Sequence, residues 1–311
     1  MDRTCSGRDL LMRPPRLRPG DRVRFVSPAS TPEPADVERA AAVLRDLGLI
    51  VEIALHAFDE VGYLAGTDEH RLGDLNAACR DPTVRAVIST RGGKGAYRIA
   101  DRLDFDAVRA DPKPLVGFSE ITVLHLALLA ATGLAGIHGA PWNAEQFGEA
   151  SAESFSRSVL TSAPVTVCST SQVSTAALTT TGHARGRLVG GNLDMVATAA
   201  GWALPDLRGS ILLLEDVDKG LGHLDRQLTM LTNGGHLDGI VGVAVGQFTD
   251  CWVHGAWTAL DVLADRLGRL GVPILGGLPI GHGPDPVAVP IGTMAALDVA
   301  SGTLTVDAAV S

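Results

Sequence analysis

Residues 114–131 read PLVGFSEITVLHLALLAA. The first five are an apolar run of strand length, and from 121 to 131 the apolar positions recur at helical spacing, with Leu124 and Leu128 on one face. Only Ser119 and Glu120 separate the two, so strand passes into helix through a tight turn that carries a serine. Working outward, 86–90 (AVIST) is a second strand, running straight into Arg91-Gly92-Gly93-Lys94-Gly95. Residues 21–27 (DRVRFVS) form a third strand, stopped by Pro28. A helix over 36–47 places Val37, Ala40, Val43, Leu44 and Leu47 together, with Gly48 at its C-terminal end. The next strand is 49–55, and Thr67 can cap a helix over 68–79 that Asp81-Pro82 ends. This alternation predicts an α/β protein whose N-terminal domain is a parallel sheet covered by helices, Rossmann- or flavodoxin-like. Such sheets bind ligands at the carboxyl ends of their strands.

The character of the chain changes near Glu149. Residues 151–181 are rich in Ser, Thr and Ala, with one apolar stretch at 165–167, and read as a connection holding one strand. Beyond it lie short, glycine-rich strands at Gly190-Gly191, 211–214, 240–245, 274–278 and 303–306, and helices over 224–231 and 257–270. That mixture predicts a smaller C-terminal α+β domain. The expected organisation is a flexible leader (1–17), an N-terminal α/β domain (18–150), a connection (151–182) and the α+β domain (183–311).

Composition narrows the function. The 26 Lys and Arg against 35 Asp and Glu give a net charge of −9, which opposes nucleic-acid and polybasic membrane contacts. Aromatics at 4% argue against base-stacking platforms. Cys5, Cys79, Cys168 and Cys251 form no CxxC pair, which excludes a disulfide scaffold and suits a reducing compartment. The apolar runs are shorter than the ~20 residues of a membrane helix, and the Arg-rich N-terminus lacks a secretory h-region. A cytoplasmic protein is expected.

Three side chains stand out as chemistry. Ser119, at the strand-to-helix turn, projects its hydroxyl at the sheet's carboxyl edge beside the free N–H groups of a helix's first turn. Serine is also a good N-cap, so position alone leaves a structural role open. The α/β-hydrolase elbow G-x-S-x-G is not met, since Ile121 stands at the second glycine. Glu215 ends the apolar run 211–214, where a buried carboxylate needs a partner such as an imidazolium; Asp216 reads instead as an N-cap or a surface ion pair. His282 lies in Pro279-Ile280-Gly281-His282-Gly283-Pro284, an accessible loop between strands. His138 is a second candidate for the same cleft. His56, His70, His183, His223, His236 and His254 read as structural or exposed, with no H-E-x-x-H and no metal-ligand spacing. The glycine loop 91–95 has neither Walker nor GxGxxG spacing; it can serve as a tight turn or aim backbone N–H groups at an oxyanion.

Taken together, these strings resemble the LD-carboxypeptidases, a serine-peptidase family that includes muramoyl-tetrapeptide carboxypeptidases and microcin C self-immunity hydrolases. The resemblance runs through Tyr63-Leu64-Ala65-Gly66-Thr67-Asp68, Arg91-Gly92-Gly93, Gly117-Phe118-Ser119, Ile137-His138-Gly139, Gly190-Gly191-Asn192-Leu193, the run to Glu215-Asp216, and Gly281-His282-Gly283. It implies a Ser119–His282–Glu215 triad in a cleft between two domains. It also implies oxyanion donors from the N–H groups of Glu120 and of Gly92 or Gly93, no cofactor and no metal, and a homodimer. Glu120 stands where the family usually has Asp, and Lys94 where it usually has Tyr. Arg91, Lys94 and Arg98 are candidates to meet a substrate carboxylate, and His138 is a further candidate for substrate binding.

Three functions fit the motif set. The favoured one is release of D-alanine from a cytoplasmic murein tetrapeptide by a Ser–His–Glu acyl-enzyme mechanism. The second keeps the triad and hydrolyses a peptidyl- or aminoacyl-adenylate-like antibiotic. The third is a non-catalytic binder of cell-wall peptides.

Overall fold

The computed structural model describes residues 11–139 and 148–311. Its N-terminal half alternates β1 (Arg22–Val26), α1 (Pro34–Asp46), β2 (Ile50–Ile53), α2 (Asp68–Arg80), β3 (Val84–Ser89), α3 (Phe105–Ala110), β4 (Leu115–Gly117), α4 (Thr122–Thr132) and β5 (Gly136–His138). Then follow α5 (Glu149–Leu160), β6 (Val165–Cys168), β7 (His183–Asn192), α6 (Leu193–Ala199), β8 (Ser210–Val217), α7 (Leu221–Asn233), β9 (Gly242–Thr249) and α8 (Ala259–Gly268). The chain closes with β10 (Ile274–Leu275), β11 (Val289–Ile291), β12 (Met294–Asp298) and β13 (Thr303–Val306).

Among the described residues there are two sheets. The first, in the order β11-β5-β4-β3-β1-β2, is parallel except for β11, which runs antiparallel to β5. The second, β10-β9-β8-β7-β12-β13-β6, has four parallel strands joined by helices and an antiparallel remainder. The fold is therefore α/β in its first half and mixed in its second. The loop leaving β10 of the second sheet returns to the first sheet as β11, and it carries His282 across the seam.

Helix α4 explains how the halves adhere. Its residues from Thr122 to Leu129 are all buried because every side is covered, so the run LHLALL is apolar all round except at His125, whose Nε2 pairs with Gly117 O at 2.9 Å. Leu124 and Leu128 share one apolar cluster with Val196 of α6, Leu212 of β8 and Leu228 of α7. Each such leucine contributes about 1.5–3 kcal/mol of burial.

Two expectations are corrected. Of the leader over 1–17, residues 1–10 lie outside the described residues, while 11–17 are held in place. There Met12 pairs with the 133–135 segment, Arg16 N donates to Ser311, and Leu17 is buried. An Arg- and Pro-rich composition hid the anchoring leucine and methionine. The connection over 151–182 contains the amphipathic α5, which buries Phe155 and Val159 and was masked by its serines. Gly190-Gly191 lies in a strand, as expected, at the end of the ten-residue β7.

Candidate active site

The nucleophile candidate sits where strand β4 ends. Ser119 adopts φ +61°, rare for a residue with a side chain, and opens the short 3-10 turn Ser119–Ile121 that leads into α4. A strained serine between strand and helix thus arises without the second glycine of the usual elbow. The 91–95 loop, at the end of the neighbouring strand β3, packs on it. A Cβ at Gly92 would stand 2.8 Å from Ser119 Cβ and 3.0 Å from its Oγ, so no larger residue fits there.

Glu120 does more than offer a backbone N–H. Its carboxylate is buried and accepts the N–H groups of Gly95 (2.7 Å) and Ala96 (3.0 Å), tying the glycine loop to the serine turn. Burial pushes its pKa up to about 7, against the pull of those N–H groups and of Lys94.

Glu215, on β8, is completely buried, and its Oε2 lies 2.7 Å from Nδ1 of His282. Burial alone would raise the acid's pKa, but the imidazole outweighs it and holds Glu215 below the ordinary carboxylate range. In the same way burial opposes charge on His282, yet Glu215 and Asp216 carry its pKa above the ordinary imidazole value. Gln247 of β9 fixes the His282 loop, its Oε1 accepting Gly283 N (2.7 Å) and its Nε2 donating to Pro284 O (3.2 Å). A Cβ at Gly281, whose φ is +127°, would stand 2.7 Å from Glu215 Oε2.

Ser119 and His282 line one cleft of about 260 Å³, together with Phe118, Gly92, Gly93, Thr90, Arg91, Pro32 and Asp36. The Phe118 ring lies against the imidazole at 4.8 Å between centroids. Serine, imidazole and buried carboxylate are thus drawn from both sheets to one place, a set able to activate a hydroxyl for attack on a carbonyl.

The other expected residues divide. Arg91 borders the cleft, its guanidinium on Thr31 O at 3.1 Å. Lys94 is exposed, 3.9 Å from Asp194. Arg98 is engaged with Asp68 at 2.8 Å. His138 is corrected from cleft wall to interior. It is buried, its Nε2 is 3.8 Å from Glu215 Oε1, and burial pushes its pKa down to about 4. The ring is packed in the seam against Gly191 of β7 and Glu215 of β8, which leaves it no route to solvent. Asp216 is also buried, within β8; it accepts Asn192 Nδ2 (3.0 Å) and the N–H of Asp194 in the first turn of α6 (3.2 Å), while Asn192 is the N-cap of α6, so Asp216 is neither the N-cap nor the surface ion pair expected. Sequence reasoning on single residues missed Asn192, which the β7–β8 register sets beside Glu215, and Thr122, whose hydroxyl accepts Asn192 N (3.1 Å) across the seam. It also missed Gln247 and the Lys219–Asp194 pair (2.8 Å). The GGNL string was the one signal for the first of these.

Two segments of the chain match the two domains of a single family: the LD-carboxypeptidase N-terminal domain over residues 23–139 and its C-terminal domain over 185–297. The chain belongs to the LD-carboxypeptidase family. It is 41% identical to a putative carboxypeptidase of Streptomyces coelicolor, over 96% of both chains. It is 36% identical to a probable murein peptide carboxypeptidase of Bacillus subtilis, over 96% of this chain and 95% of that one. With the murein tetrapeptide carboxypeptidase of Pseudomonas aeruginosa it shares 33% identity, over 89% and 93%. Among solved structures, MccF in complex with glutamyl sulfamoyl guanosine has the same fold, with a TM-score of 0.85 at 22% identity, over 96% of this LD-carboxypeptidase family member and 99% of that chain.

Proposed function

We propose that the protein is a serine carboxypeptidase that cleaves an L,D-peptide bond and releases the terminal D-alanine of a murein tetrapeptide. The observation that carries the reading is the 2.7 Å Glu215–His282 pair, whose imidazole lines the same cleft as Ser119. His282 takes the Ser119 proton through Nε2 as Oγ attacks the carbonyl carbon of the scissile bond. The N–H groups of Glu120 and of Gly92 or Gly93 hold the resulting oxyanion. The tetrahedral centre then collapses, the C–N bond breaks, and His282 returns the proton to the D-alanine amine. Water, deprotonated by His282, attacks the acyl-enzyme and frees Ser119. Glu215 keeps the imidazole in the Nδ1–H tautomer and stabilises its positive form. Arg91 at the cleft border meets the substrate's terminal carboxylate.

The names borne by the Bacillus and Pseudomonas relatives support the murein substrate. The cytoplasmic recycling role and the homodimer rest on the family resemblance. Among the described residues no helix is long and apolar enough to cross a membrane. The test is to incubate the protein with a murein tetrapeptide and, separately, with an aminoacyl sulfamoyl nucleoside. Faster release of D-alanine supports the reading. Faster cleavage of the nucleoside conjugate would transfer the chain to the antibiotic-hydrolysing branch, and turnover of neither to a binding role.

A further inference from the structure

A second cluster lies on the first sheet, outside the cleft. His56 and Asp59 stand in the loop after β2, and His70 lies in the first turn of α2. Nδ1 of His56 is 3.0 Å, and Nδ1 of His70 2.7 Å, from the same oxygen, Asp59 Oδ2. The two rings stack with centroids 3.9 Å apart and planes inclined by 19°. All three donor atoms fall within 4.8 Å of one another. The side chains are between about a third and a half exposed, so an ion can reach them from solvent.

We propose that His56 Nδ1, Asp59 Oδ2 and His70 Nδ1 form a binding site for a divalent transition-metal ion of the zinc class, with solvent as the fourth ligand. Two imidazole nitrogens and one carboxylate oxygen are a donor set that suits zinc. Bonds of 2.0–2.1 Å in a tetrahedron set the donors roughly 3.3 Å apart, close to the observed spacings of up to 4.8 Å; an ion must also lie in the plane of each ring it binds, so the two stacked and exposed rings have to turn out of their stack to meet it. Without metal, each ring donates its Nδ1 proton to Asp59. On binding, that proton resides on Nε2 instead, the two Nδ1 lone pairs and Oδ2 turn to the ion, and no net proton is exchanged. The backbone behind the ligands is already fixed. His56 N donates to Asp74 Oδ2 at 2.8 Å, His70 N to Thr67 Oγ1 at 3.2 Å, and Thr31 Oγ1 to Asp59 O at 2.8 Å. Thr31 precedes Pro32 of the cleft, so an ion here would staple α2 and the β2 loop to the cleft's border. The site's role is thus structural, independent of the triad.

The test uses the untagged full chain stripped with a chelator and titrated with Zn²⁺ by calorimetry, and with Co²⁺ by visible absorption. The expected result is one equivalent of Zn²⁺ bound, a Tm that rises with Zn²⁺, and the absorption bands of tetrahedral cobalt. In His70→Ala, Zn²⁺ affinity should fall at least tenfold and the cobalt bands should vanish. His70→Asn is the second variant, since its amide can still donate to Asp59 but is a poor zinc ligand; it should keep the metal-free Tm and lose the Zn²⁺-dependent rise. His282→Ala should bind Zn²⁺ as the unaltered chain does. Failure of the unaltered chain to bind Zn²⁺, or binding unchanged in both His70 variants, would overturn the site.

Discussion

Nδ1 of His282 lies 2.7 Å from Oε2 of Glu215, and that carboxylate has no exposure to solvent. The two residues come from different segments, 67 positions apart, and the loop bearing the histidine crosses from one sheet to the other. A buried charge of this kind persists because its partner is within hydrogen-bond reach. Removing the partner therefore hurts more than the pair itself stabilises.

Glu215→Gln keeps the shape of the acid and loses its charge. The imidazole then loses both its tautomer control and the stabilisation of its positive form. The expected effect is a fall of about 10⁴ in kcat, with KM little changed, measured by D-alanine release from the tetrapeptide.

The pH profile follows from the same pair. The base must be neutral to act, and Glu215 overcomes burial to carry the His282 pKa above the ordinary value. The acid limb of kcat/KM should therefore lie above pH ~6.5, and Glu215→Gln should move what activity remains to a lower limb. For stability the sign is that of a raised pKa. The contribution of charged His282 is complete below its unfolded value and disappears as pH rises through the folded one. Denaturant midpoints across this window, compared between the unaltered chain and His282→Ala, check it.

Gly92→Ala probes the close approach beside the nucleophile. The added Cβ would stand 2.8 Å from Ser119 Cβ, so either the serine or the oxyanion loop must move. A loss of about 10²–10³ in kcat is expected, the size of a displaced oxyanion donor. The Tm should fall far less than it does for a core truncation such as Leu124→Ala, which costs about 2–5 kcal/mol.

Glu120→Gln tests the side chain that ties the glycine loop down. Burial raises this acid's pKa to about 7, so its stabilising contribution is complete below pH ~4.5 and is lost as pH rises through about 7. The glutamine keeps an acceptor for Gly95 and Ala96 and has no charge to bury. Its stability should therefore be flatter than the unaltered chain's between pH 5 and 8, read from chemical denaturation at each pH; an equally steep curve would contradict the assignment.

Much of this was legible beforehand where local pattern and environment agree. The strands on either side of the 91–95 loop and Thr67 as an N-cap follow from apolar period and cap chemistry, and the structure has them. The Ser119, Glu215 and His282 positions stood out because each breaks an apolar context at a strand end or a glycine-flanked loop. What escaped depends on pairing between distant segments. Helix α5 was hidden because serines at 151, 154 and 158 occupy its buried face. His138 reads as accessible beside Gly139, yet its ring turns into the seam between the sheets, against Gly191 and Glu215. Gln247 and Asn192 acquire meaning only from the strand order β9-β8-β7, which brings both next to Glu215. The His56–Asp59–His70 cluster shows no ligand spacing in sequence, because a loop and a helix start bring it together.

The central claim is that the hydroxyl at 119 is the nucleophile. Its most direct test is mass spectrometry of a murein tetrapeptide before and after incubation with the unaltered chain and with Ser119→Ala. The account predicts loss of one alanine residue with the former and, with the latter, a rate lower by about 10⁴–10⁶. Equal rates of alanine release by both proteins would contradict it.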